Sequence, residues 1–214
     1  MIYRFFKYTM DFLISLVAFI FLLPVFLIIS LLIKLTSKGP VLFKQKRVGK
    51  NKKLFTIYKF RTMRIDAPKD TPTHLLEDPD QYITKIGKFL RKTSLDELPQ
   101  IINILLGQMS IIGPRPALWN QYDLIEERDK YGANKLRPGL TGWAQINGRD
   151  ELEIPQKAAL DGEYVKKQSL LFDIKIFFKT IISIIKSDGV VEGGTGSLKK
   201  NNWILLFINY INLN

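Results

Sequence analysis

The sequence contains no cysteine, which excludes disulfides and thiol chemistry and leaves its redox compartment unmarked. Histidine occurs once, as His74 between Pro72-Thr73 and Leu75, with no second imidazole to share a metal or a proton. Acid is missing from a long stretch. No Asp or Glu lies between Asp11 and Asp66, while eleven Lys and Arg residues fall between Lys34 and Arg64. The 214-residue chain carries a formal net charge of +12. Such a basic block seeks anionic partners, whether lipid headgroups, nucleic acid or phosphorylated substrates. The length suits one domain of ordinary size plus a membrane element.

The first feature present is apolar. Residues 12–33 hold no charge and are interrupted only by Ser15, Pro24 and Ser30. About 20 apolar residues cross a bilayer, so the length permits a span. Pro24 removes one backbone hydrogen bond near the middle and predicts a kink. The run is too long for a signal peptide and has no small-residue cleavage site, so it is expected to stay on the protein. Arg4 and Lys7 precede it, and Lys34, Lys38, Lys44, Lys46 and Arg47 follow. With both flanks basic, the positive-inside rule does not choose an orientation. A re-entrant anchor broken near Pro24, entering and leaving by the cytoplasmic face, places both flanks against anionic lipid. A single kinked transmembrane helix is the alternative. The expected organisation is an anchor over 1–36, a cytoplasmic domain over 37–189 and a tail over 190–214.

Beyond the anchor, residues 41–43 and 54–58 are β-prone runs joined through Gly49-Lys50-Asn51, which predicts a short basic hairpin. Residues 66–80, with three prolines, read as a surface loop. Asp78-Pro79-Asp80 within it superficially matches an Asp-x-Asp metal motif, although no strand pattern leads into it. Helices are expected over 83–92, from about 100 to Gly107, and over 117–131, where Asp123, Glu126, Glu127 and Asp129 read as a solvated face. Residues 137–143 are too rich in Pro and Gly for a helix and read as an ordered loop. Residues 169–186 pack eleven large apolar residues around Asp173, Lys175, Lys179 and Lys186, the pattern of an amphipathic helix lying in a membrane interface. The fold class expected is mixed α/β and mainly α: a re-entrant membrane helix, a basic β-hairpin and a compact helical domain with amphipathic interfacial helices.

The chemistry concentrates at Ser94-Leu95-Asp96-Glu97-Leu98-Pro99-Gln100. Taken alone, Ser94-x-x-Glu97 fits a capping box, or Asp96 an N-cap. The neighbourhood supports more. Adjacent residues on a helix point about 100° apart, so the two carboxylates cannot both act on one substrate atom. One can attack while the other holds a cation, and Mg²⁺ is commonly held by carboxylates together with substrate phosphates. Arg61, Arg91 and Arg115 would bind the remaining phosphate oxygens. An acidic nucleophile, Mg²⁺ and arginines together point to phosphoryl transfer through an aspartyl intermediate.

Five motifs in order carry a resemblance: residues 38–49 (KGPVLFKQKRVG), 59–63 (KFRTM), 94–100 (SLDELPQ), 109–116 (MSIIGPRP) and 137–149 (RPGLTGWAQINGR). The chain resembles the bacterial sugar transferases, monotopic polyprenyl-phosphate phosphoglycosyl transferases, in a minimal form. The resemblance implies that Asp96 attacks the β-phosphate of a UDP-sugar, releasing UMP, and that polyprenyl phosphate then takes the phosphosugar. It implies Mg²⁺ at Glu97, and it places Lys59, Arg61, Arg91, Pro114, Arg115, Pro116, Arg137, Gln145 and Arg149 near substrate phosphate or nucleotide. The implied location is the cytoplasmic face of a bacterial inner membrane, against anionic lipids, with a homodimer left open and no nucleic acid partner. Leu23 stands before Pro24 where relatives often have serine, and Tyr82 stands where they often have arginine. Two other readings compete: a non-catalytic protein bound to anionic lipid or nucleic acid through the basic block, and a glycosyltransferase using Asp78 and Asp80.

Overall fold

The computed structural model describes residues 2–68, 78–148 and 152–186. The apolar N-terminal run forms α1 (Ile2–Thr36), long and apolar enough to cross a membrane. Its backbone stays helical through Pro24, so the proline does not divide the element. One face of α1 is docked onto the rest of the protein. Lys7, Asp11 and Ser15 are buried near its start, and Ile29 and Ile33 near its end. Within each group the positions are four residues apart, and the step of fourteen from Ser15 to Ile29 returns to the same side of the helix, so all five lie on one stripe. Most of the remaining surface is hydrocarbon: Phe5, Phe21, Leu27 and Leu35 are each more than 70% exposed.

The two ends of α1 dock by different means. At the start, Lys7 Nζ lies 2.7 Å from Asp173 Oδ2, and Asp11 Oδ2 accepts a 2.5 Å hydrogen bond from Ser110 Oγ. Asp173 also accepts from Tyr3 and Tyr164. At the end, Ile29 and Ile33 close a core with Phe60 and Leu90. The terminus is capped by a side chain. Arg61 donates through Nη1 to the Lys38 carbonyl at 2.5 Å and through Nη2 to the Ser37 carbonyl at 2.9 Å and to Ser37 Oγ at 2.6 Å. A guanidinium there satisfies carbonyls at the negative end of the helix dipole.

The expected hairpin is present as β1 (Leu42–Val48) and β2 (Leu54–Phe60), antiparallel, with Leu42 opposite Phe60 and Val48 opposite Leu54. After the segment 78–84, in which Asp78 and Asp80 are exposed, come α2 (Lys85–Lys92) and α3 (Gln100–Leu105). Asn103 of α3 ties back to the hairpin, accepting from the Tyr58 N–H and donating to the Thr56 carbonyl. Next are β3 (Ser110–Ile112), α4 (Tyr122–Lys130), β4 (Gly139–Thr141), α5 (Trp143–Ile146), α6 (Ile154–Lys167) and α7 (Leu170–Lys186).

Beyond the short elements β3 and α5, for which the sequence gives no expectation, two departures are larger. Residues 139–141, expected in a loop, form β4, paired parallel to β3 with Ser110 opposite Gly139 and Ile112 opposite Thr141. Glycine permits this pairing, because a Cβ at Gly139 would collide with the Gly113 backbone. The second is α6, an unanticipated helix whose Ala158, Asp161 and Tyr164 are buried. The helix expected over 117–131 is shorter, beginning at Tyr122. His74 and the tail after residue 186 lie outside the described residues.

Candidate active site

The site is built where α2 gives way to α3. Ser94 adopts a left-handed conformation at φ 55°, turning the chain into a 3₁₀ segment, Leu95–Glu97. Leu95 and Leu98 pack into the core shared with α1, and Asp96 and Glu97 line a cavity. Neither capping reading of this stretch holds. Ser94 makes no side-chain cap bond, and the Glu97 side chain reaches across the cavity instead of back to the helix start.

Glu97 Oε1 accepts from Lys59 Nζ and from Arg115 Nη2, both at 2.7 Å, while Arg115 Nη1 lies 3.4 Å from Oε2. Lys59 comes from β2, one residue before Phe60, and Arg115 from the segment between β3 and α4. Burial works against ionising Glu97, but Arg115 and Lys59 outweigh it and hold the carboxyl well below the usual range. Asp96 goes the other way. It is 9% exposed, and burial, helped by the neighbouring Glu97 charge, raises it to about 6 against the pull of Lys59, Arg91 and Arg115. Two adjacent carboxylates are thus driven in opposite directions by their surroundings.

The cavity has a volume of about 1110 Å³ and gathers Lys59, Arg91, Asp96, Glu97, Arg115 and Gln145. Pro116 also lines it. Arg91 donates through Nε to Thr62 Oγ1 at 2.9 Å. Gln145 donates to the Leu140 carbonyl, and its buried Oε1 has no hydrogen-bond partner among the described residues.

Three further residues expected at phosphate make the following contacts. Arg61 borders the cavity, but its Nη groups bond the end of α1. Arg137 lies against α1, its guanidinium 4.0 Å from the Tyr8 ring. Pro114 acts through its backbone, its carbonyl accepting from the Gly139 N–H. Arg149 lies outside the described residues. Asp78 and Asp80 are not part of the cavity.

The sequence reading missed Arg128 and Asp161. Arg128 on α4 is buried in an ion pair with Asp161 on α6, Nη2 to Oδ2 at 2.6 Å, with side chains 4% and 1% exposed. Its Nη1 donates to the Arg115 carbonyl at 2.9 Å, fixing the backbone from which the Glu97 partner projects. The available signal was the spacing of Ala158, Asp161 and Val165, one face of a helix carrying an inward acid.

The sequence profile of the family described as "Bacterial sugar transferase" matches residues 2–187. The chain is 42% identical over 186 residues to the UDP-glucose:undecaprenyl-phosphate glucose-1-phosphate transferase of Escherichia coli K12, covering 83% of this chain and 40% of that protein. It is 43% identical over 187 residues to the exopolysaccharide production protein PSS of Rhizobium leguminosarum bv. phaseoli, covering 83% of this chain and 94% of that one. A third relative is the UDP-N-acetylgalactosamine-undecaprenyl-phosphate N-acetylgalactosaminephosphotransferase of Aeromonas hydrophila, 39% identical over 193 residues, with 88% and 45% covered. The chain thus spans less than half the length of two of these relatives and nearly all of the third.

Proposed function

The chain belongs to the bacterial sugar transferase family, and from that premise we propose that it transfers a sugar-1-phosphate from a UDP-sugar to undecaprenyl phosphate through a phosphosugar carried on Asp96. The observation that carries this reading is geometric: Glu97 bonded to Lys59 and Arg115, with the buried Asp96 beside it, in one cavity that Arg91 also lines.

In the first step an Asp96 carboxylate oxygen attacks the β-phosphorus. A P–O bond forms, the bond from that phosphorus to the oxygen bridging to the α-phosphate breaks, and UMP leaves with the electron pair. In the second step an oxygen of the acceptor phosphate attacks the same phosphorus. The Asp96 P–O bond breaks, the carboxylate is restored, and a polyprenyl diphosphosugar is released. Burial strips water from Asp96 and favours attack, while Lys59, Arg91 and Arg115 stand where phosphate charge accumulates. Gln145 Oε1 is available to accept from the donor substrate. The product would begin an exopolysaccharide, capsule or other glycoconjugate.

The donor set suits Mg²⁺, which takes oxygen ligands from one or two carboxylates and from substrate phosphates. Glu97, with Asp96 beside it, would hold the ion, since Oε1 takes both short cation contacts and Oε2 only the longer one. When bound, the ion screens carboxylate from phosphate.

The docking of α1 supports an anchor whose ends return to one face. Its first and last turns both pack on the same domain, which in a crossing helix would have to reach both sides of about 30 Å of hydrocarbon. We place the catalytic domain on the cytoplasmic face, with the basic residues at anionic lipid. Because the chain has no native cysteine, single substitutions Arg4→Cys and Lys38→Cys can be labelled in sealed vesicles. Equal protection from an impermeant reagent is expected, and labelling of one alone from the outer side would overturn the topology.

The reaction is tested by UMP release from a panel of UDP-sugars, comparing wild type with Asp96→Asn. UMP from one sugar, lost in the variant by a factor on the order of 10⁴ or more, is expected. Full activity in Asp96→Asn would remove Asp96 as nucleophile, and release of UDP would replace the reaction class.

A further inference from the structure

Resting on that transfer reaction, we propose that the hydrocarbon chain of the polyprenyl phosphate lies along α7, over Phe177, Thr180, Ile181 and Ile184. All four line the cavity that holds Asp96. Successive helical residues turn by about 100°, so these four form one stripe. To one side of it stands Ile176, buried in the core, while Asp173, in line with the stripe one turn earlier, is buried against Lys7 and Tyr164. To the other stand Leu171, Phe178 and Ile182, exposed by 80%, 59% and 51%. The helix therefore has a core face, a cavity face and an outward apolar face, in that order around its axis.

The cavity face is continuous with the outward one. Phe177, Ile181 and Ile184 line the cavity and are also exposed by 47%, 39% and 37%. The polar group in the stripe is already satisfied, because Thr180 Oγ1 is bonded to Thr141 Oγ1 at 2.8 Å and to the Ile176 carbonyl at 2.9 Å. Elsewhere the same cavity carries Lys59, Asp96, Glu97 and Arg115. The space is amphiphilic, charged at one wall and hydrocarbon at another. A nucleotide sugar is polar throughout and gains little from an apolar stripe. A lipid phosphate has the same division as the cavity: its phosphate must reach the phosphorus on Asp96, and its chain must leave towards apolar surface. The stripe on α7 offers that exit.

The test uses the full chain in lipid nanodiscs and separates the two half-reactions. Single-turnover UMP release from UDP-sugar alone reads the first; the dependence of product formation on undecaprenyl phosphate concentration reads the second. Replacing one apolar contact to the chain by a polar amide should weaken acceptor binding, so Ile181→Gln is expected to raise the acceptor KM about tenfold, with UMP release at the wild-type rate. Ile182→Gln makes the same chemical change on the outward face and is expected to move neither. Unchanged acceptor KM in a folded Ile181→Gln would overturn the inference, as would an equal rise in Ile182→Gln. A rise confined to Ile65→Gln would move the chain to the hairpin side of the cavity and also overturn it. If the wild type releases no UMP, the transfer reaction fails first and takes this inference with it.

Discussion

Two charge clusters meet at Arg115 and are built on different rules. Behind its backbone, Arg128 and Asp161 pair one to one, almost out of contact with solvent. At its side chain, Lys59 and Arg115 both serve one carboxylate of Glu97, with Asp96 beside it. The first cluster is closed: its charges cancel, and what remains is a hydrogen bond to the Arg115 carbonyl. The second is open, leaving one carboxylate burdened by burial and cations facing space that a phosphate can fill. Buried ion pairs are weak sources of net stability, so the closed pair is better understood as holding geometry for the open one.

The comparison can be broken at either cluster. The largest effect on stability is expected from Arg128→Met alone, which strands the buried Asp161 carboxylate and should cost about 3–5 kcal/mol, read as a fall in Tm or in denaturant midpoint. Adding Asp161→Leu removes the stranded charge and should recover most of that loss. UMP release should stay below wild type in the double variant, because the Arg115 carbonyl still lacks its donor. A double variant that is both stable and fully active would show that the pair does not position Arg115.

At the open cluster the expected sign reverses. The folded Asp96 carboxyl is raised from 3.8 to about 6, chiefly by burial. A raised value means that stability from protonating this group is present below pH 3.8 and is lost as pH rises through 6. Asp96→Asn should therefore stabilise the protein at pH 8 in metal-free buffer by about 1–3 kcal/mol, while abolishing transfer. The difference in Tm from wild type should shrink through that window on acidification. A variant less stable than wild type at pH 8 would contradict the burial of an ionised Asp96. The smallest effect belongs to the Lys52–Asp129 pair, whose side chains are 54% and 45% exposed. Lys52→Ala should change stability by no more than about 0.5 kcal/mol, and less in high salt.

What was legible in the sequence follows from the range of the forces involved. The membrane helix, the hairpin and α7 announce themselves through local hydrophobic pattern, and Asp96, Glu97, Lys59, Arg91 and Arg115 do converge on one cavity. The parallel pairing of β3 with β4 was hidden because strands of three residues carry almost no periodicity, β4 opens on a glycine, and the partner is remote in the chain. Arg128 and Asp161 lie 33 residues apart, and on α4 the arginine stands among acids that read as solvated. Arg61 is expected at phosphate from its side-chain type and Arg137 from the family resemblance, and the contacts that each makes with α1 lie beyond what either signal carries. A guanidinium bonds backbone carbonyls or stacks on a tyrosine ring as readily as it binds phosphate, and only the position of α1 decides between these uses.

On the proposed anchoring, the docking of α1 also makes the lipid a component of the folded enzyme. A protein shortened to begin after residue 36 would turn the Phe60 and Leu90 contacts of Ile29 and Ile33 towards water and leave Asp173 without Lys7. Such a fragment is not a soluble version of the catalyst. Phe60 is also the immediate neighbour of Lys59, which holds Glu97. A bilayer whose thickness displaced the end of α1 would press on that strand, so membrane composition would act on turnover from a single residue away.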